Sequence, residues 1–232
     1  MREVVEKKVL SENDRLAAEL RLRFQNENIL CVNLISSPGS GKTMLLEKTL
    51  AAWPKDTPVA ILTGDIQTDN DAKRLSRYGF PVRQIVTGGT CHLDARMIER
   101  HLNEIGFRGP GILFIENVGN LVCPSSYDLG EIAKIVLLSV TEGEDKPLKY
   151  PGIFHRSALM LLTKTDLLPH VDFDSGLALE NARKIHPDIE FIALSARTGE
   201  GLSEWLNWLN ALRQKISPQV AATRSLSSVT SK

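Results

Sequence analysis

The sequence predicts an α/β fold in which a mostly parallel sheet is covered by helices on both faces. Short apolar runs rich in Val, Ile and Leu alternate along the chain with segments of helical periodicity. Within each run the apolar character is nearly continuous, as expected for strands that are buried on both faces of a sheet. Ligands of such sheets bind beyond the carboxyl ends of the strands, so the polar residues that follow each run are candidates for a functional site.

The predicted elements follow one another in a regular order. Apolar positions from Val4 to Phe24 lie among alternating charges, which predicts an amphipathic helix packed against the domain. Glycines at 79 and 106 are placed to end two later helices. Strands are predicted over 29–35, 58–65, 81–86, 111–116, within 131–141, and over 157–162 and 189–194; further helices are predicted after Thr43 and over 69–78, 93–105, 175–185 and 201–216.

The composition excludes several classes of protein. The chain has 232 residues, of which 42% are hydrophobic and 24% charged, and its formal net charge is zero without a basic block. This argues against nucleic acid or an anionic membrane as the main partner. No apolar run approaches the roughly 20 residues that span a bilayer, and the N-terminus lacks the apolar centre of a signal peptide. We expect a cytoplasmic protein whose three cysteines are thiols or metal ligands.

The first strand runs into a glycine-bearing loop that opens a helix. Strand, loop and Gly-Lys-Thr in this order are typical of a phosphate-binding loop, whose N–H groups cradle a β-phosphate. Lys42 is expected to reach the β- and γ-phosphates, and the Thr43 hydroxyl to complete the shell of a magnesium ion. Ser36 stands where the first glycine of such loops usually lies, and a chance Gly/Ser turn is the alternative. The predicted phosphate-binding residues are Pro38, Gly39, Ser40, Gly41, Lys42 and Thr43.

Two carboxylates end apolar runs and are candidates for the magnesium ion. Magnesium prefers oxygen ligands, and Asp65 and Glu116 both stand where a strand ends. We expect each of them to bind magnesium or to position the attacking water, with Lys42 as the third catalytic group. Gly119 is placed to offer its N–H to the γ-phosphate. The alternative is that either carboxylate merely caps the next helix or loop.

A base-recognition motif follows the sixth predicted strand. The segment Thr163 to Asp166 is similar to the Asn-Lys-x-Asp motif of GTPases, with threonine in the first position. The carboxylate of Asp166 is suited to accept from N1–H and the exocyclic amine of guanine, a donor pair that adenine lacks, and the stem of Lys164 would lie along the base. Ser195 and Ala196 resemble the loop whose backbone supports guanine. The sequence therefore favours GTP over ATP.

A second group of candidate ligands consists of Cys91, His92 and Cys123. Thiolate and imidazole are ligands favoured by zinc and other late divalent metals. We expect Cys91 to lie at a helix N-terminus with a lowered pKa. Two half-buried thiols and a surface histidine are the alternative. Three ligands leave a position for water or for a partner chain across a twofold axis, and the proximity of Cys123 to Glu116 suggests that nucleotide state changes metal affinity.

Together these motifs resemble the HypB family, GTPases that help to insert nickel during the maturation of nickel–iron hydrogenase. The resemblance covers about 29–216, and residues 1–28 depart from many members because they contain neither a Cys-rich motif nor a histidine-rich stretch. Ser36 in place of glycine and the Cys-His and Cys set are both features of the family. The motifs that carry the resemblance are Ser36–Thr43, Thr63–Asp65, Gly88–His92, Glu116–Pro124 and Thr163–Pro169.

The resemblance implies a P-loop NTPase fold of the SIMIBI class and magnesium-dependent hydrolysis of GTP to GDP and phosphate. It also implies a homodimer whose interface holds zinc or nickel on Cys91, His92 and Cys123, with the hydrogenase maturation factor HypA and the hydrogenase large subunit as partners. The expected organisation is an N-terminal helical extension (1–28), a G domain (29–216) and a disordered tail (217–232). Our main interpretation is a GTP-hydrolysing metallochaperone for nickel. A nucleotide-binding dimer with a structural zinc, and a GTPase that matures another metalloenzyme such as urease, are the alternatives.

Overall fold

The computed structural model describes residues 2–65 and 70–216, with side chains of the first helix described from residue 9 onward. The tail predicted over 217–232 lies outside the described residues. None of the helices in the described ranges combines the length and the apolar character needed to cross a membrane.

Seven strands form one sheet, and every neighbouring pair in it is parallel. The spatial order is β3-β2-β4-β1-β5-β6-β7, which places β1 at the centre between β4 and β5. This arrangement confirms the predicted parallel α/β fold. The strands are β1 (Ile29–Ser36), β2 (Val59–Asp65), β3 (Val82–Val86), β4 (Gly111–Glu116), β5 (Ala133–Ser139), β6 (Leu159–Thr163) and β7 (Glu190–Ala193).

Helices connect the strands and cover both faces of the sheet. The long predicted helices are present, whereas three helices of four to six residues were not predicted, because so few residues cannot show a helical period. The helices are α1 (Arg2–Asn26), α2 (Lys42–Ala52), α3 (Asn70–Ser76), α4 (Ala95–Ile105), α5 (Cys123–Ser126), α6 (Lys146–Lys149), α7 (Pro151–Arg156), α8 (Ser175–Ile185) and α9 (Leu202–Ile216), and a 3-10 helix spans Thr165–His170.

The core lies on both faces of the sheet because side chains alternate along each buried strand. Along β1, Leu30, Val32 and Leu34 pack under α2, α3 and α9. Ile29 and Cys31 point to the opposite face, where α1 and α4 cover them. Helices α7 and α8 cover the part of that face formed by β5 and β6. The central strand is therefore held on both sides, and its carboxyl end is a rigid support for the loop that follows.

Candidate functional site

A cavity of about 760 Å³ opens at the carboxyl ends of the strands. It gathers residues from the loops after β1, β2, β4, β6 and β7, as expected where parallel strands end at one edge of a sheet. Among the residues predicted for nucleotide and magnesium, those that line the cavity are Pro38, Gly39, Ser40, Gly41, Lys42, Thr43, Asp65, Glu116, Gly119, Lys164, Asp166 and Ala196.

The loop between β1 and α2 has a backbone that requires glycine at two positions. Gly39 and Gly41 have φ values of 76° and 98°, in the left-handed region where a side chain would be strained. Gly41 precedes the first residue of α2, so the free N–H groups of this helix end begin at the loop. Free N–H groups and a helix N-terminus together form a binding site suited to an anion such as phosphate.

Lys42 is held against the strand from which the loop leaves. Its Nζ donates a hydrogen bond to Ser36 Oγ at 2.8 Å, and the Ser36 hydroxyl donates to the Ser37 carbonyl at 2.6 Å. Burial lowers the pKa of Lys42, and the negative charge of Glu116 opposes this shift. Ser36, which stands where a glycine is usual, therefore orients the lysine of the loop.

Thr43 and Glu116 form a buried pair at the end of β4. The Thr43 hydroxyl donates to Glu116 Oε1 at 2.6 Å, while Glu116 Oε2 is buried without a hydrogen-bond partner among the described residues. Burial raises the pKa of Glu116 to about 7, although the Lys42 charge lowers it. Asp65 lines the same cavity from the end of β2. A hydroxyl beside a buried carboxylate with one unpaired oxygen fits the oxygen ligands of a magnesium ion.

The segment from Thr163 to Asp166 is tied to two other loops. The buried Thr163 hydroxyl donates to the Ser40 carbonyl at 2.8 Å, so threonine in the first motif position links this segment to the phosphate loop. Asp166 Oδ1 accepts a hydrogen bond from the Ser195 hydroxyl at 2.6 Å. Ser195 itself is fully buried. The resemblance to the guanine-supporting loop of GTPases suggested a backbone role for Ser195, and the structure adds a side-chain contact that orients Asp166.

Glu142 is a polar residue of the site that the sequence did not reveal. It follows β5, and its Oε1 accepts from the Ser40 hydroxyl at 2.8 Å and from the Ser139 N–H at 3.1 Å. Its other oxygen lies 3.2 Å from Lys146 Nζ. Burial raises the pKa of Glu142, but hydrogen bonds from Ser37 and Ser40 outweigh it and the net pKa is lowered. The one available signal was its place close to the carboxyl end of a strand, where Asp65 and Glu116 also lie.

Cys91, His92 and Cys123 come together as the sequence suggested. Their possible ligand atoms all lie within 4.8 Å of one another, and the two sulfur atoms are 2.6 Å apart. The ring of His92 stacks on Tyr127 with 3.7 Å between ring centroids. Burial lowers the pKa of His92, which favours the neutral imidazole that binds metals. The donor set fits a zinc or nickel ion. The two sulfur atoms, 2.6 Å apart, are closer than two tetrahedral ligands of one ion, so they would have to move apart to bind it.

The prediction for the pKa of Cys91 was wrong. Helix α4 begins at Ala95 and is capped by Asp94, whose side chain accepts from the Met97 N–H, so Cys91 lies before the helix rather than at its N-terminus. The pKa of Cys91 is raised, because its thiol donates a hydrogen bond to Cys123 and because it is partly buried. The thiolate of this cysteine is therefore not preformed, and a metal ion would have to displace the proton.

The loop after β4 links this cluster to the cavity. Asn120 follows Gly119 and donates from Nδ2 to the Cys91 carbonyl at 3.2 Å. Its Oδ1 accepts from the Val122 N–H at 2.9 Å, directly before Cys123. Gly119 of the cavity and Cys123 of the thiol cluster therefore lie in one short segment, and Asn120 in that segment is hydrogen-bonded to Cys91.

Comparison with known proteins agrees with this arrangement. The family model of the CobW/HypB/UreG nucleotide-binding domain matches residues 30–193. The chain is 54% identical to the hydrogenase maturation factor HypB of Azotobacter chroococcum mcd 1, over 90% of this chain and 68% of that protein. The chain belongs to the HypB family. Another relative is the hydrogenase/urease maturation factor HypB of Helicobacter pylori strain J99, which is 42% identical over 87% of this chain and 84% of that protein.

A solved structure of the HypB family has the same fold. The crystal structure of HypB from Helicobacter pylori in complex with nickel superposes with a TM-score of 0.82 at 40% identity, covering 88% of this chain and 96% of that chain. This likeness extends over the sheet and its helices, so the nucleotide-binding fold predicted for this HypB family member is confirmed.

Proposed function

We propose that the protein is a magnesium-dependent GTPase that acts as a metallochaperone in the insertion of nickel into hydrogenase. The observation that carries this proposal is the short segment from the end of β4 to the start of α5, which contributes Glu116 and Gly119 to the nucleotide cavity and Cys123 to the thiol–imidazole cluster. A loop shared by two sites is a physical means by which nucleotide state changes metal affinity.

The base pocket supports GTP as the nucleotide. Asp166, oriented by Ser195, is proposed to accept from N1–H and the exocyclic amine of guanine. Lys164 and Ala196 line the same cavity as Asp166 and would flank the base. Adenine offers no donor pair to this carboxylate, so the pocket discriminates because the carboxylate receives no hydrogen bonds from the base when ATP binds.

The phosphates and the magnesium ion are assigned to the other end of the cavity. The free backbone N–H groups between Pro38, which has none itself, and Thr43 would surround the β-phosphate. Lys42 would neutralise the β- and γ-phosphates. Thr43, Asp65 and Glu116 are proposed to hold magnesium directly or through water, or to position the attacking water. Magnesium would neutralise the charge that develops during transfer of the γ-phosphoryl group to water, and Gly119 would sense that group through its N–H.

The cluster of Cys91, His92 and Cys123 is proposed to carry nickel or zinc, with the remaining position filled by water or by the partner chain of a homodimer. The nickel complex of the Helicobacter pylori relative supports nickel as the ion. The relatives' description as hydrogenase maturation factors supports the hydrogenase large subunit as the recipient, and we propose the maturation factor HypA as the nickel-carrying partner. Urease is a second candidate recipient, favoured by the name of the Helicobacter pylori relative.

Nickel transfer tests the proposal directly. The nickel-loaded protein is mixed with the metal-free hydrogenase large subunit in the presence of HypA, and transferred nickel is measured with GTP, GDP and a non-hydrolysable GTP analogue. We expect transfer to depend on the nucleotide, and Lys42→Ala, which removes the phosphate-binding charge, to abolish that dependence. Transfer that is indifferent to the nucleotide would contradict the metallochaperone function and favour a structural zinc.

Asp166→Asn tests the identity of the base. An asparagine side chain has one acceptor and one donor, which match N1–H and the C2 carbonyl of xanthine rather than guanine. We expect the preference to move from GDP toward xanthosine diphosphate, measured as the ratio of the two dissociation constants. An unchanged preference for GDP over both xanthosine diphosphate and ADP would refute the assignment of Thr163 to Asp166.

A further inference from the structure

A buried amide stands in the middle of the central strand. Asn33 lies on β1 between the apolar residues Val32 and Leu34, and it is 0% exposed. Burial of an amide without hydrogen bonds is costly, so the partners of Asn33 are informative. Its Oδ1 accepts from Asn117 Nδ2 at 3.2 Å, and its Nδ2 donates to Glu131 Oε1 at 3.1 Å. Asn33 thus joins the loop that follows β4 to the loop that leads from α5 into β5.

The first of these loops belongs to the nucleotide cavity. Asn117 follows Glu116 directly and is 2% exposed. Its Oδ1 accepts from the Val118 N–H at 2.9 Å, so its side chain sets the turn that leads to Gly119. Asn33 therefore anchors the part of the cavity that we assign to magnesium and the γ-phosphate.

The second loop supports the thiol–imidazole cluster. Glu131 is 6% exposed, and its Oε2 accepts from the Leu129 N–H at 2.7 Å. Lys134 Nζ lies 3.4 Å from Glu131 Oε1 and donates to the Tyr127 carbonyl at 2.8 Å. The Tyr127 ring in turn stacks on His92. Glu131 therefore holds the turn whose tyrosine covers a predicted metal ligand.

On the basis of the proposed function, we propose that Asn33 and Glu131 are positioning residues that transmit nucleotide state to the metal cluster. The chain Asn117–Asn33–Glu131 has a fixed direction, because a carboxylate only accepts hydrogen bonds. Asn33 must therefore turn its side-chain Nδ2 toward Glu131 and its side-chain Oδ1 toward Asn117. If the nucleotide moves Asn117, the Asn33 carbonyl is left unpaired in the core unless the amide reorients. Reorientation would remove the bond to Glu131, so the two loops change together.

Nickel affinity in two nucleotide states tests this relay of three residues. The dissociation constant for Ni²⁺ is measured by competition with a chromophoric chelator, in GDP and in a non-hydrolysable GTP analogue. We expect the wild-type constants to differ by roughly 5–150-fold, the usual range of coupling between two sites. Asn33→Val removes both side-chain hydrogen bonds of the relay and should bring the ratio to within about twofold of one.

Thr49→Val is the matched control. Thr49 is also fully buried, and its hydroxyl accepts a hydrogen bond from Trp205 Nε1 at 2.9 Å that the substitution removes. Thr49 lies on α2, over the face of the sheet opposite to the Asn33 side chain. We expect this variant to keep the wild-type ratio. A purely structural role of Asn33 would lower both affinities and leave their ratio unchanged, as in the control.

Glu131→Gln provides a second test if Asn33→Val does not fold. Asn33 and Leu129 donate to different oxygens of Glu131, and glutamine keeps the shape but has an oxygen at only one of these positions, so it loses one of the two bonds. Amide hydrogen exchange at Leu129 gives a local readout. We expect it to differ between nucleotide states in the wild type and in Thr49→Val, and to be the same in both states in Glu131→Gln.

The outcomes separate the relay from the function on which it rests. A wild-type ratio of one, or Leu129 exchange that ignores the nucleotide in the wild type, overturns the relay, and the ratio of one also contradicts the proposed coupling of GTP to nickel. A nucleotide-dependent wild type with an unchanged ratio in either folded relay variant overturns the relay alone.

Discussion

The hydroxyl of Ser195 donates a hydrogen bond of 2.6 Å to Asp166 Oδ1. The two residues lie just after neighbouring strands, β7 and β6. Ser195 is fully buried, so no water competes for this bond. The Ser195 hydroxyl also accepts from the Thr198 N–H at 3.2 Å, which fixes the direction in which it donates. The carboxylate proposed to read guanine is thus oriented before the nucleotide arrives.

Ser195→Ala is expected to weaken selectivity for guanine. Loss of one buried hydrogen bond to a charged group costs about 1.5–3 kcal/mol when that bond orients a ligand-binding carboxylate. We expect GDP affinity to fall at least about tenfold, with ADP affinity changed by less than about twofold. Titration calorimetry with both nucleotides measures this. Ser157→Ala, which removes another buried hydroxyl that donates to the Ile153 carbonyl, is the control. Equal losses for GDP and ADP would contradict the prediction.

Gly119→Ala is expected to reduce affinity for the triphosphate more than for GDP. A Cβ at residue 119 would lie 3.0 Å from the Pro38 Cα, which is backbone and cannot move aside as a flexible side chain can. One of the two loops must therefore shift at the proposed γ-phosphate position. We expect at least about a tenfold loss for a non-hydrolysable GTP analogue, measured by calorimetry.

A second glycine serves as the control for Gly119. In Gly152→Ala the nearest atom to the new Cβ is Ser125 Oγ at 3.4 Å, an ordinary contact. This variant should bind both nucleotides as the wild type does. A loss for Gly119→Ala that is the same for GDP and for the analogue would show that Gly119 does not act at the γ-phosphate.

The strands and most of the cavity were predictable from the sequence for one physical reason. Buried parallel strands need near-continuous apolar runs, and the carboxyl ends of such strands meet at one edge of the sheet. Identification of the runs therefore also located Lys42, Asp65, Glu116 and Asp166, which the structure brings to one cavity. The position of the cluster formed by Cys91 and Cys123 followed from the same rule, although the direct contact between the two sulfur atoms did not.

What the sequence could not show depends on contacts between distant segments. Ser40 and Glu142 are hydrogen-bonded across the fold, as are Asn33 and Glu131, and no local period reports such pairs. The pKa of Cys91 was mistaken because the start of α4 was placed too early, and because a thiol partner outweighs a distant helix end. Local pattern identifies elements, whereas side-chain environment requires the packed structure.

Cys123→Ala is expected to separate the metal site from the nucleotide site. It removes one of three candidate ligands, so nickel affinity should fall at least about tenfold, while GDP affinity stays within about twofold of the wild type. Chelator competition and calorimetry measure the two constants. Cys31→Ala, which removes a thiol buried on β1 away from the cluster, should keep nickel affinity. Unchanged nickel binding in Cys123→Ala would exclude this cysteine as a ligand.

Glu116→Gln is expected to stabilise the protein at high pH when nucleotide and divalent metals are absent. Burial raises the pKa of Glu116 from 4.5 to about 7, so the folded state holds its proton more tightly than the unfolded state does. Stability therefore falls as pH rises from about 4.5 to about 7 and is constant above that. At about 1.4 kcal/mol per pKa unit, this loss is about 3 kcal/mol.

The measurement is urea unfolding of the wild type and Glu116→Gln at pH 5 and pH 8 with EDTA present. Glutamine carries no charge at either pH, and part of the loss in the wild type has already occurred at pH 5, so the gain in unfolding free energy of the variant over the wild type should be larger at pH 8 by about 2 to 3 kcal/mol. A gain that is equal at both pH values would show that Glu116 ionises normally in the folded protein. In that case the buried carboxylate would be charged before magnesium arrives, and proton release from Glu116 would play no part in metal binding.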